Sequence, residues 1–205
     1  MWMWDNMLNR IPAFDYPFYY VEQIENYKDA NKYLLEILRQ KKNEDPIGRN
    51  VSNRGGYQTT HFWSHELFHE FGKIIKPYIE ELKKEIRLKD GNKFDVDGAW
   101  INENKGFNFN VPHLHPKCHF AAVYYIKFPK NGGAIGFQNP NKAASMFGLM
   151  DATDCSHFRH DLDIVPKTGS LLIFPSYFEH YVLQGDNIDT RITCAFNLKI
   201  NEDES

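Results

Sequence analysis

Thr190-Arg191-Ile192-Thr193-Cys194-Ala195-Phe196-Asn197 alternates along its whole length. In an extended strand Arg191, Thr193, Ala195 and Asn197 fall on one face, and Ile192, Cys194, Phe196 and then Leu198 on the other. One face is made for an apolar layer and the other carries a guanidinium and a hydroxyl. Around this segment, from Phe94 onward, come short runs rich in β-branched and aromatic residues, broken by Gly, Pro and Asn. They predict strands over 98–102, 119–128, 134–138, 170–174, 180–183 and 191–200. Strands in series without helices between them predict an all-β sandwich or jelly roll.

The first half reads differently. Residues 29–41 carry Tyr33, Leu34, Ile37 and Leu38 at helical spacing. A second helix is predicted over 64–88, where Leu67, Phe68, Phe71, Ile74, Ile75, Ile79, Leu82 and Ile86 form one stripe. Ser64, Glu66 and Glu70 suit its N-terminal turn. Between the helices, Ser52-Asn53-Arg54-Gly55-Gly56 has the chemistry of a turn. The expected class is mainly β with N-terminal helices packed on one sheet face. Residues 1–205 would form one domain, with 1–93 largely helical and 94–200 the β core. The stretch 139–167 has no clear periodicity and reads as a long loop of the kind that covers active sites.

Composition narrows the function classes. The 205 residues carry a net charge of −3, so no basic footprint for nucleic acid is expected. No apolar run is long enough to span a membrane. The start, MWMWDNMLNR, lacks the basic and apolar order of a signal peptide. Cys118, Cys155 and Cys194 are sparse and odd in number, which fits a reducing compartment and a cytoplasmic location.

Two clusters of histidine compete for chemistry. His65-Glu66-Leu67-Phe68-His69 is an HExxH on the second predicted helix, the spacing of a zinc protease. The pattern continues to Gly72 but then has Ile75 where a third histidine would be needed. Glu85 lies on the same helix, about 24 Å further along its axis, and cannot return to the metal. A helix with polar histidines at its start is the simpler reading.

The second cluster is Asn110-Val111-Pro112-His113-Leu114-His115-Pro116 with the distant His180. His113 and His115, at i and i+2, point to one side of an extended strand. Three imidazoles from two regions suit an open iron site. Arg191 is a natural bidentate partner for a carboxylate, and Thr193 adds a hydroxyl. Together they point to an oxygenase ahead of a jelly-roll binding or structural module.

At these residues the sequence resembles the 2-oxoglutarate/Fe(II)-dependent oxygenase superfamily. Within it, the sequence is similar to a group of small bacterial and phage proteins with an N-x-x-H-x-H-P start. The resemblance rests on Gly55 to Thr59, on Asn110 to Pro116, and on Val123 to Tyr125 with Gly132-Gly133 and Phe137 to Pro140. It rests also on Gly169 to Ser176 with His180, and on Arg191 to Asn197. It implies a double-stranded β-helix, Fe(II) on His113 and His180, and 2-oxoglutarate with its distal carboxylate on Arg191 and Thr193. Tyr125 stands where related enzymes place a tyrosine on the same carboxylate.

The pattern departs at His115, where the superfamily has Asp or Glu. A three-histidine site of His113, His115 and His180 is favoured. A two-histidine site with an open position, and a site in which His115 is the first ligand, stay open. Molecular oxygen and a small-molecule or protein side-chain substrate are the expected partners. Asn139 is a candidate to orient a ligand or a water, and Phe147, Met150, His157, Phe158, Arg159 and His160 are candidates for a substrate lid.

Overall fold

The computed structural model describes residues 16–145, 148, 152 and 159–202. In chain order the elements are β1 (Tyr19–Val21), α1 (Tyr27–Glu44), β2 (Asn53–Arg54), β3 (Tyr57–Gln58), α2 (Glu66–Glu85), β4 (Asn92–Gly106) and β5 (Phe109–His113). There follow β6 (Phe120–Lys127), β7 (Ile135–Gln138), α3 (Lys142–Ser145), β8 (Asp161–Ile164), β9 (Leu171–Pro175), β10 (His180–Val182) and β11 (Asn187–Glu202). The strands form two sheets, one ordered β1-β9-β6-β11-β4-β3 and the other β2-β5-β10-β7-β8. Every pairing in both is antiparallel.

Alternation along the central strands explains the layering. On β6, Phe120, Ala122, Tyr124 and Ile126 join the apolar layer of the two long helices. Their neighbours Ala121, Val123 and Tyr125 join a second layer with Ile135 and Phe137 of the opposite sheet. The strand is buried on both faces, which is why Phe-Ala-Ala-Val-Tyr-Tyr-Ile is an unbroken apolar run. On β11, Ile192, Cys194, Phe196 and Leu198 lie on the helix side, as the alternation predicts.

The helices pack by the stripes read in the sequence. Leu34, Ile37 and Leu38 of α1 and Phe68, Phe71, Ile75 and Leu82 of α2 are buried. Phe71 is the junction of this layer. Its ring lies 5.2 Å from that of Tyr124 and 6.1 Å from that of Phe196. The Tyr124 hydroxyl donates to Asn31 Oδ1 at 2.7 Å, so the polar end of a buried ring is satisfied by α1.

Several elements differ from the sequence expectation. β4 runs over fifteen residues where only 98–102 was expected. Its outer parts are rich in Asn, Asp and Lys and owe their extended form to the ladder with β11. Phe196 pairs with Ala99 and Leu198 with Val96, so β4 carries one extra residue there and bulges at Asp97 and Gly98. The polar strands β2, β3 and β5 carry too little β signal to be read from sequence. Stretch 139–167 is not wholly a loop, because β8 pairs with β7 and α3 precedes it. Phe147, Met150, His157 and Phe158 lie outside the described residues, as does Cys155. Among the described residues no helix is long and apolar enough to cross a membrane.

Truncating Phe71 removes the ring that joins α2 to β6 and β11. Phe71→Ala is expected to lower stability by about 3–5 kcal/mol, read as a shifted urea midpoint with little change in slope.

Candidate metal centre

Three imidazoles meet at one end of the space between the sheets. His113 closes β5, and His180 opens β10 directly opposite it in the ladder. His115 lies just past the end of β5, where its backbone N–H donates to the Ser176 carbonyl at 3.1 Å. It still faces the same side as His113, while Leu114 between them points to solvent. The ring centroids of His113 and His180 are 4.2 Å apart, and those of His115 and His180 5.0 Å. One ring nitrogen from each comes within 4.8 Å of the others, the only such group of three or more metal-capable side chains among the described residues.

The hydrogen bonds set the tautomers. His113 Nδ1 lies 2.8 Å from the Val111 carbonyl and His180 Nδ1 2.9 Å from the Phe178 carbonyl. His115 Nδ1 lies 2.7 Å from Asn197 Oδ1. The Asn197 orientation is fixed at its other end, where Nδ2 donates to the Asp97 carbonyl at 3.4 Å. Carbonyl oxygens only accept, so each Nδ1 carries the proton and each Nε2 keeps its lone pair. Burial pushes all three pKa values down, His115 to about 4, and His113 and His115 add repulsion against a charge on His180. The cluster is therefore neutral near pH 7, three borderline nitrogen donors with their outward nitrogens already held. That donor set fits a divalent transition metal.

The other end of the same cavity is cationic. Arg191 is buried at 2% exposure, and its Nη1 donates to the Gly132 carbonyl, with a longer contact to Gly133. Gly133 has φ +77°, and a side chain there would collide with the Leu183 carbonyl and press on Arg191 Nη1. The close approach thus requires the second glycine of Gly132-Gly133. Arg191 Nη2 is buried without a partner. Tyr125 and Thr193 sit side by side in the β6–β11 ladder and line the same cavity. Burial raises the Tyr125 pKa and keeps the phenol protonated, so it remains a donor. Among the described residues no Asp or Glu lines this cavity. A buried guanidinium with an unused N–H and two hydroxyls beside it make a socket for a carboxylate.

All six candidates read from the sequence, His113, His115, His180, Arg191, Thr193 and Tyr125, line this one cavity. Sequence reasoning missed Trp100, Asn102 and Asn104, which stand opposite Ala195, Thr193 and Arg191 in the ladder. The alternation Trp-Ile-Asn-Glu-Asn was there to be read as a strand face, but its polar end looked like a loop. Asn139 is not at the centre. Its Nδ2 donates to the Arg159 carbonyl at 2.9 Å and ties the start of the 139–161 segment to its end. The residue that orients an imidazole is Asn197.

His65 and His69 do not form a second centre. His65 precedes α2 as its N-cap, where Nδ1 accepts from the Leu67 N–H at 3.1 Å and Nε2 lies 3.0 Å from Gln40 Oε1. Both nitrogens are in use, and the residue's role is to start the helix.

Known proteins share this fold. Residues 98–197 match the model of a family described as "Putative 2OG-Fe(II) oxygenase". A prolyl-4-hydroxylase from Pseudomonas putida aligns with TM-score 0.63 at 14% identity, over 90% of this chain and 92% of that one. A viral collagen prolyl hydroxylase from Paramecium bursaria Chlorella virus-1, in complex with 2OG, aligns with TM-score 0.57 at 16% identity, over 90% and 96%. HygX from Streptomyces hygroscopicus, with nickel and 2-oxoglutarate bound, aligns with TM-score 0.58 at 10% identity, over 90% and 83%. At these identities the likeness is one of fold. No curated protein matches the sequence.

Two outcomes check the centre. In the metal-free protein His115 binds fewer protons folded than unfolded between about pH 4 and the ordinary value of 6.5. Stability is then full above 6.5 and falls as the pH drops toward 4, and His115→Gln flattens that fall in urea titrations at stepped pH. In the second, Glu66→Gln leaves bound metal unchanged, while His65→Ala lowers stability by about 1 kcal/mol through loss of the cap.

Proposed function

From a fold and a matched segment shared with 2-oxoglutarate/Fe(II) oxygenases, we propose that this protein is a dioxygenase of that type. Its cofactors are Fe(II) and 2-oxoglutarate, and the two facing sheets form a double-stranded β-helix within a single domain. The observation that carries the reading is the pairing, in one cavity, of three Nε2 lone pairs with a buried and unpartnered guanidinium N–H.

His113, His115 and His180 would hold the metal through Nε2. Arg191 would take the distal carboxylate of 2-oxoglutarate with Tyr125 and Thr193. Bound Fe(II) and 2-oxoglutarate supply the oxygen-activating chemistry, with release of succinate and CO2 as a substrate is hydroxylated. The chain's own part is positional. Val111, Asn197 and Phe178 hold each imidazole by its Nδ1 proton, so Nε2 faces inward before any ligand arrives. Arg191 would balance a carboxylate in a cavity that, among the described residues, offers it no acidic competitor. Val123, Ile135, Val182 and Ala195 line the space between the two ends and exclude water.

A histidine in place of the usual carboxylate changes the charge balance. Three neutral donors leave the full charge of the metal ion uncompensated, which weakens its binding relative to a site with one anionic ligand. The same excess charge strengthens the hold on a dianionic cosubstrate beside it.

Anaerobic addition of Fe(II) and 2-oxoglutarate to the metal-free protein is expected to give a visible metal-to-ligand charge-transfer band that needs both. His180→Ala should abolish it. Arg191→Ala should raise the 2-oxoglutarate concentration needed by about 30-fold or more, the cost of losing one partner of a buried charge pair. Absence of the band in the unmodified protein, with zinc as the tightly held metal, would overturn the reading.

A further inference from the structure

The carboxylate socket has a further wall on β4. Asn104 stands opposite Arg191 in the β4–β11 ladder and lines the same cavity, at 3% exposure. Arg191 Nη2 and Asn104 Oδ1 are both buried without a hydrogen-bond partner. They are a donor and an acceptor on directly opposed residues, yet they do not meet. Arg191 is tied through Nη1 to the Gly132 carbonyl. Asn104 lies against the turn between β2 and β3, where a side chain on Gly56 would overlap its Oδ1.

Neither end of this amide is tied. Asn53 donates through Nδ2 to the Arg49 and Gly56 carbonyls, and Asn110 donates to Ser52 Oγ, so turning over either amide would break bonds. Among the described residues Asn104 makes no hydrogen bond through Oδ1 or Nδ2. Its amide can therefore set either end toward the cavity without losing a bond, and the ligand selects the end.

A carboxylate selects the N–H. When ionised it has about four lone-pair sites and no donor. Arg191, Tyr125 and Thr193 take one each, which leaves one open. A second cation at that place would be repelled by Arg191, and an acid would compete with the ligand for the guanidinium. A neutral N–H donor does neither, and Asn104 supplies one on the strand directly beside Arg191.

We propose that Asn104 is the fourth donor to the distal carboxylate of 2-oxoglutarate, with its amide turned so that Nδ2 faces the ligand. The proposal rests on the oxygenase reading and adds β4 to the elements that recognise the cosubstrate.

The test uses the full chain loaded with Zn(II) and compares 2-oxoglutarate with 2-oxopentanoate. The second ligand keeps the keto-acid end and carries a methyl group in place of the distal carboxylate. Ligand-observed NMR titration gives both dissociation constants, and their ratio is the preference for that carboxylate. Asn104→Leu and the smaller Asn104→Ala should each lower the preference by about tenfold or more, the loss of a hydrogen bond to a charged group. 2-Oxopentanoate should bind the variants no more weakly than the parent chain. A preference unchanged in both variants overturns the assignment of Asn104 alone, whether the two ligands bind as before or weaken together. A parent chain that shows no preference, or takes up neither ligand, overturns the oxygenase reading as well.

Discussion

The ladder that pairs β11 with β4 on one side and β6 on the other is the constraint on which the site depends. A strand gives its side chains no choice of face once the register is set, because a slip by one residue would exchange every inward group for an outward one. Here the register is pinned by apolar weight. Ile192, Cys194, Phe196 and Leu198 are buried against the helices, so Arg191, Thr193, Ala195 and Asn197 must face the other way. The same logic runs through the neighbours: Tyr124 is fixed in the helix layer, so Tyr125 faces the cavity. The helices contribute no side chain to the cavity, yet they decide which half of each central strand reaches it.

That division also explains how the site tolerates so much unmet polarity. Arg191 Nη2, Asn102 Oδ1 and Asn104 Oδ1 would each destabilise a fold that had nothing else to hold these strands in place. The aromatic layer around Phe71, Tyr124 and Phe196, together with the inter-sheet group of Phe137, Phe174 and Phe178, holds the strand faces rigid from both sides. Polar groups on a rigid face cannot relax to satisfy one another. They stay available for a ligand, at a standing cost in stability that the core offsets.

What was legible in the sequence follows from the same physics. The alternation of 190–197 was strong because one face is wholly apolar, and it assigned Arg191 and Thr193 to the polar side correctly. The helical stripes around Leu34 and Phe71 were equally clear. β4 was legible only over 98–102, because its outer residues pair with a partner more than eighty positions away and carry no local signal. Asn104 lay beyond the predicted strand, and Asn102, its last residue, was not read as facing a site. β5 was hidden for a related reason: Pro112 has no N–H for a ladder, and the register shifts between Asn110 and His113. The His-x-His spacing survived that irregularity, since His113 and His115 still face one side although the strand ends between them. HExxH shows the reverse case, a spacing that matched a known chemistry while the fold used its first histidine as a helix cap.

The three imidazoles illustrate how a site can be ready before its ligand arrives. Each Nδ1 proton is held by an acceptor that belongs to a different part of the chain: a carbonyl in β5, a carbonyl in the turn before β10, and the amide of Asn197 on β11. Burial penalises the charged form of all three, so protonation does not compete for the Nε2 lone pairs near neutral pH. The metal therefore needs to displace no proton, and neither the tautomers nor the ring orientations have to change. Among the described residues no carboxylate lines the cavity. With Arg191 at one end, a divalent ion held at the other would leave the potential positive at both, and an acceptor-only dianion spanning the two ends would cancel it.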